Sequence, residues 1–168
     1  MISGLVWGAT EAEREHPLPC DDLQPGGVQA DRAISIDAPP SVVYAWLCQL
    51  RVAPYSYDLL DRFGRRSPRQ RDPALTELAV GQRFMSAFTL VSFVLCRHIT
   101  LVSGKICVTY AVRPEGTGTR LTVRMHCGAP WIIARALALG DVVMMRKQLL
   151  TLKELAEAEA RVGGRPAS

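Results

Sequence analysis

The five cysteines of this chain do not form a hook for metal or a disulfide framework. Cys20, Cys48, Cys96, Cys107 and Cys127 are odd in number, and no two are spaced as Cys-x-x-Cys. A zinc site needs clustered ligands, and His16, His98 and His126 stand apart from the cysteines along the chain. Free buried thiols in a reducing compartment explain the set. No phosphate-binding loop, dinucleotide glycine motif or nucleophile elbow is present, so no metal or cofactor is expected. Met1–Thr10 has no basic segment and only a short apolar stretch broken by glycine, which excludes a secretory leader and makes a cytoplasmic protein the expectation. No apolar run is clean enough to span a bilayer. Phe84–Val102 is interrupted by Arg97 and His98 and has the β-branched and aromatic content of strands, and Pro130–Met145 is too short and carries Arg135 and Asp141.

What is present is a globular profile. Hydrophobic residues make up 48% and charged residues 21% of 168 residues, enough for one domain with a real core and too few for two. The formal charge of +4 is mostly an arginine excess, which favours an anionic partner without naming one.

The pattern along the chain reads as follows. Residues 1–31 form an arm, extended and unpacked over its polar, Pro/Gly/Asp-rich part 11–31. Residues 32–162 form the domain, and 163–168 a flexible tail. Arg32–Asp37 alternates as a short strand. Pro39-Pro40 opens a helix over Val42–Leu50, with Val43, Trp46, Leu47 and Leu50 on one face. A second short helix is predicted over Tyr55–Phe63, stopped by Gly64. Strands are predicted near Arg83–Met85, Phe88–Leu95, His98–Val102, Ile106–Arg113 and Thr119–Cys127, with a bend rather than a turn at Cys96–Arg97. Ile106, Val108, Tyr110 and Val112 share one face, as do Leu121, Val123, Met125 and Cys127. Arg120, Thr122, Arg124 and His126 take the other, so the sheet is expected to be covered on one side only. From Pro130 the pattern is helical, broken at Gly140-Asp141. The stripe Val142, Met145, Leu149, Leu152, Ala156 then faces the sheet.

Four strings in this order resemble the START-like, or SRPBCC, superfamily of lipid-transfer domains and polyketide cyclases. They are Trp7-Gly8-Ala9-Thr10, with Pro17-Leu18-Pro19 and Asp22-Leu23; Ile36-Asp37-Ala38-Pro39-Pro40, with Val43 and Trp46; Tyr55-Ser56-Tyr57-Asp58, with Leu60 and Asp61; and Gly118-Thr119-Arg120-Leu121, with Arg124. The match runs from Trp7 to Ala158 and is narrower toward an uncharacterised bacterial branch. The branch's glycines and aromatic before Tyr55 are replaced by Val52-Ala53-Pro54, and the aromatic after Asp58 by Leu59. The resemblance implies an α+β helix-grip fold: a curved antiparallel sheet wrapped round a long C-terminal helix, two short helices after the first strand, and an apolar cavity between sheet and helix. It implies no reaction, because the fold hosts carriers and enzymes alike.

Function is therefore expected to be binding or transport of a hydrophobic small molecule such as a lipid, polyketide or isoprenoid. The alternative is a cyclase, dehydratase or isomerase acting on such a ligand. Trp46, Tyr55, Tyr57, Met85, Phe88, Phe93, Tyr110, Met125 and Met145 are the candidate lining, and the same residues would suit an ordinary core. Asp58, if buried beside Tyr55 and Tyr57, would have a raised pKa suited to acid–base work; otherwise it caps its helix or pairs with an arginine. His98 is the second acid–base candidate. Arg62, Arg65 and Arg66, in the loop 62–71, are candidates for contact with an anion or a membrane surface. The loop lacks the interleaved aromatics that stack bases, so no nucleic-acid partner is expected. A peripheral membrane contact and a homodimer stay open.

Overall fold

The alternation in the last two strands folds as a hairpin whose apolar rows lie side by side. In the register, Ile106 pairs with Cys127, Val108 with Met125, Tyr110 with Val123 and Val112 with Leu121. The computed structural model describes residues 5–55 and 67–163, without the side chains of residues 131 and 133–143. Its elements are β1 (Val6–Trp7), α1 (Glu11–Glu15), α2 (Pro19–Leu23), β2 (Val28–Ile36), α3 (Pro40–Cys48), β3 (Arg83–Phe84), β4 (Phe88–Val94), β5 (His98–Ser103), β6 (Ile106–Glu115), β7 (Gly118–Cys127) and α4 (Trp131–Gly163). The seven strands make one curved, unclosed sheet in the order β1-β2-β7-β6-β5-β4-β3. Every neighbouring pair is antiparallel except β1 with β2. A register shift between Leu90 and Ser92 puts a bulge in β4, the device that bends a strand and sharpens its twist.

Two glycines in the family-like strings are there because a backbone passes too close for a side chain. A Cβ on Gly8, which takes φ +71°, would run into the Ala33 carbonyl, and one on Gly118 into the Ile36 carbonyl.

The helix-grip expectation holds, with α4 lying across the inner face. It spans 33 residues, about 50 Å at 1.5 Å per residue. Its later turns bury Met145, Leu149, Leu152 and Ala156 in a core that includes Ile99, Leu101, Val108, Leu121 and Val123. The break predicted at Gly140-Asp141 is absent, and the helix runs through it. A helical glycine costs only about 1 kcal/mol relative to alanine, too little to end a helix anchored over several further turns. No helix among the described residues is long and apolar enough to cross a membrane.

Three further expectations are corrected. Cys96–Arg97 is a tight turn, not a bend: Cys96 takes φ +56° and the Arg97 amide donates to the Val94 carbonyl at 2.9 Å. A non-glycine residue in that conformation leaves no sequence signal. Tyr55, the start of the predicted second helix, has φ +54° and is not helical; the rest of that segment lies outside the described residues. The arm is not extended. It forms α1 and α2, and Thr10 and Glu13 close a capping box at 2.8 and 3.2 Å.

The arm also overturns the one-sided sheet. Thr122, Arg124 and His126, the polar row of β7, are buried. Cys20 of α2 is buried against that face, its amide donating to Thr109 Oγ1 and its thiol to the Arg124 carbonyl. The sheet thus has α4 on its apolar face and the arm on its polar one.

Candidate functional site

Between the sheet and α4, the apolar contact is interrupted by an amide. Gln148 continues the helical stripe one turn after Met145 and is buried. The Tyr110 hydroxyl, from the centre of β6, donates to Gln148 Oε1 at 2.7 Å and lies 3.8 Å from the Met145 sulfur. Gln148 Nε2 donates to the Pro54 carbonyl and to the Met85 sulfur. One side chain of α4 thereby ties the helix to the mid-sheet and to the chain after α3. A second tyrosine is unlike it. Tyr44 of α3 is buried in the same core cluster, and its hydroxyl has no hydrogen-bond partner among the described residues. Burial holds its pKa above the ordinary tyrosine value, so it is a neutral phenol.

The sequence candidates fall into three groups. Tyr110, Tyr55, Met125 and Met145 are buried in the inner core, and Phe88, Phe93 and Met85 pack against it partly buried. Trp46 is also in the core, edge-to-face with Tyr55 at 6.0 Å between ring centroids. Its indole N–H donates to Glu159 Oε2 at 2.9 Å, so its polar tip is held by α4. Glu159 also takes both the Nε and Nη2 donors of Arg71. His98 is on the other side of the sheet from these residues. It pairs in register with Ala111, next to Tyr110, and adjacent strand residues face opposite ways. Its Nε2 is 3.3 Å from Ser92 Oγ, and burial lowers its pKa, favouring the neutral ring. Tyr57, Asp58, Arg62, Arg65 and Arg66 lie outside the described residues. Of the same arginine loop, Arg69 pairs with Glu154 and Arg71 with Glu159, both on α4.

The outer face carries a second polar cluster that the sequence did not reveal. Arg124 is 3% exposed in its side chain and still uses all three of its nitrogens, the arrangement that keeps a buried cation from being ruinous. Its Nε donates to Asp31 Oδ1 and its Nη1 to Asp21 Oδ2, each at 2.7 Å. Further bonds reach the carbonyls of Glu13, Arg14 and His16. Next to it, Arg120 grips Glu13 at 2.7 and 3.0 Å. That hydrogen bond is the main reason the Glu13 pKa falls to about 2.

His126 Nε2 is 2.7 Å from Asp21 Oδ1, and Cys20 completes a trio whose ligand atoms lie within 4.8 Å of one another. The cysteine and histidine that stand far apart in sequence therefore meet in space. The trio is a poor fit for a metal ion. Arg124 already neutralises the carboxylate, and burial pushes the Cys20 thiol up to about 11, whereas a metal ligand must be a thiolate. The arrangement works as an ion-pair clamp on the arm. The Thr10-x-x-Glu13 spacing could have revealed α1. The partners of Arg124 were not readable, because Asp21 and Asp31 lie 103 and 93 residues away.

No family model matches the chain, and no curated protein matches it. Solved structures do. Protein SSP2350 from Staphylococcus saprophyticus superposes with a TM-score of 0.55 at 13% identity, over 79% of this chain and 94% of that one. Protein MLL2253 from Mesorhizobium loti gives 0.52 at 18%, over 78% and 98%. The KanY protein gives 0.52 at 16%, over 79% and 99%. At such identities the likeness is one of fold: a sheet with a long C-terminal helix, consistent with the SRPBCC type.

Proposed function

We propose that this chain binds a hydrophobic small molecule, of lipid, polyketide or isoprenoid character, between the inner face of the sheet and α4. The observation that carries the reading is the Tyr44 hydroxyl, buried in the inner core without a partner. A buried, unsatisfied hydroxyl costs about 1–3 kcal/mol, so proteins rarely keep one without a use. A ligand carbonyl or hydroxyl would satisfy it. Around it, Met85, Phe88, Phe93, Met125 and Met145 supply adaptable apolar surface. The affinity would come from apolar burial, at about 25 cal/mol per Å². Fold likeness alone supplies the analogy to carriers and cyclases, and fold does not fix function.

The test is a thermal-melt screen of the protein against lipids and polycyclic aromatics, repeated with Tyr44→Phe. A ligand of the native state raises the melting temperature. The reading requires at least one shift that shrinks in the variant. A flat response across the panel contradicts it. An acid–base enzyme has less support. His98 faces away from the inner core, which leaves Asp58 to carry both proton-transfer roles.

A further inference from the structure

The arm does not lie flush on the sheet along its whole length. Between residues 16–19 and the outer face of β5, β6 and β7 it leaves a groove of about 730 Å³, within the usual range of small-molecule sites. Its apolar walls come from the arm, at Pro17 and Leu18, and from Ala111 on the sheet. Its charged lining is of one sign. Arg97 and Arg113 stand on it, His16 and His98 are its remaining titratable nitrogen groups, and no aspartate or glutamate lines it. Arg97 is exposed, and its guanidinium has no ion-pair or hydrogen-bond partner among the described residues. Arg113 reaches Glu13 only at 3.4 Å, while that carboxylate makes shorter bonds to Arg120.

We propose that this outer-face groove is a second binding site, for a small organic anion with an apolar body: a carboxylate held by Arg97 and Arg113, its ring or chain lying against Pro17, Leu18 and Ala111. Guanidinium forks suit carboxylates in both geometry and charge. The apolar walls select against small inorganic anions, and the absence of acidic residues removes the repulsion that would turn a carboxylate away. The site is independent of the inner-face reading, because the sheet separates the two.

Naphthoate and its uncharged counterpart naphthylmethanol are the probes, titrated into the full chain by two-dimensional amide NMR. Cys96 is a built-in reporter. It lines the groove, and it is the one thiol of the five that is not buried. Naphthoate is expected to shift the amides of Leu18, His98 and Ala111 and to slow alkylation of Cys96 in proportion to occupancy. Naphthylmethanol is expected to bind at least tenfold more weakly. Arg97→Glu, an exchange at an exposed turn, is expected to raise the Kd for naphthoate by about tenfold or more, the loss of a charge-assisted bond. The proposal is overturned if naphthoate shifts nothing up to its solubility, or only inner-face amides such as those of Val108 and Tyr110. It is overturned equally if the two probes bind alike. The probe comparison uses the wild-type chain, so it stands even if the variant misfolds.

Discussion

Tyr110 and Gln148, 38 residues apart in sequence, meet through a 2.7 Å hydrogen bond from the phenol to the amide oxygen, in a layer that is otherwise apolar. The bond pins α4 over the centre of β6. Tyr110→Phe leaves the Gln148 oxygen without its phenol donor, and about 1–3 kcal/mol of stability is lost. Changing Gln148 to Leu as well removes the stranded acceptor. The double variant is then less destabilised than the sum of the singles, by about 0.5–3 kcal/mol. Urea denaturation of the four proteins measures this coupling.

Tyr44 predicts the opposite sign. Its hydroxyl has no partner among the described residues, so Tyr44→Phe breaks no bond and relieves a desolvated group. The free protein is expected to be equally stable or more stable, by up to about 1 kcal/mol. A clear loss of stability in the unliganded variant would mean that the hydroxyl is already satisfied.

Arg124 is the pin of the arm. Arg124→Met strands Asp21 and Asp31 as buried carboxylates without their cation, a change that typically costs about 3–5 kcal/mol. Hydrogen exchange is expected to speed up first in residues 10–24. Arg124→Lys rescues only part, since an ammonium cannot reproduce the fork that serves both carboxylates and three carbonyls.

The same clamp sets an acid limit. The Glu13 pKa is lowered from 4.5 to about 2, first by its bond to Arg120. The folded state binds this proton more weakly than the unfolded chain. The contribution is therefore complete above pH 4.5 and is lost as the pH falls toward 2. Stability against urea should drop across that window, and Glu13→Gln should flatten the drop while lowering stability at neutral pH. Equal slopes in both proteins would remove Glu13 from the acid response.

Much of the fold was legible because its signals are periodic. The rows Ile106–Val112 and Leu121–Cys127 alternate cleanly, and Met145, Leu149, Leu152 and Ala156 repeat at helical spacing. Pro39-Pro40 marks the start of α3. What escaped depends on partners rather than period. Arg120, Thr122, Arg124 and His126 were read correctly as one face, but a polar row looks the same whether water or a complementary arm covers it. Gln148 lies on the apolar stripe, yet its polarity hid it from a reading by hydrophobicity. The groove-side position of His98 follows from the register of β5 on β6 and from the turn at Cys96 that sets it.

The central claim is that the inner face holds a hydrophobic ligand. Native mass spectrometry of the freshly purified protein, followed by denaturing extraction, tests it most directly. The account predicts a bound species beyond the 18.4 kDa chain, or uptake of one from the lipid and aromatic panel, that is lost on denaturation and weakened in Tyr44→Phe. A chain that stays at its bare mass throughout, after purification and after incubation with the panel, would contradict it.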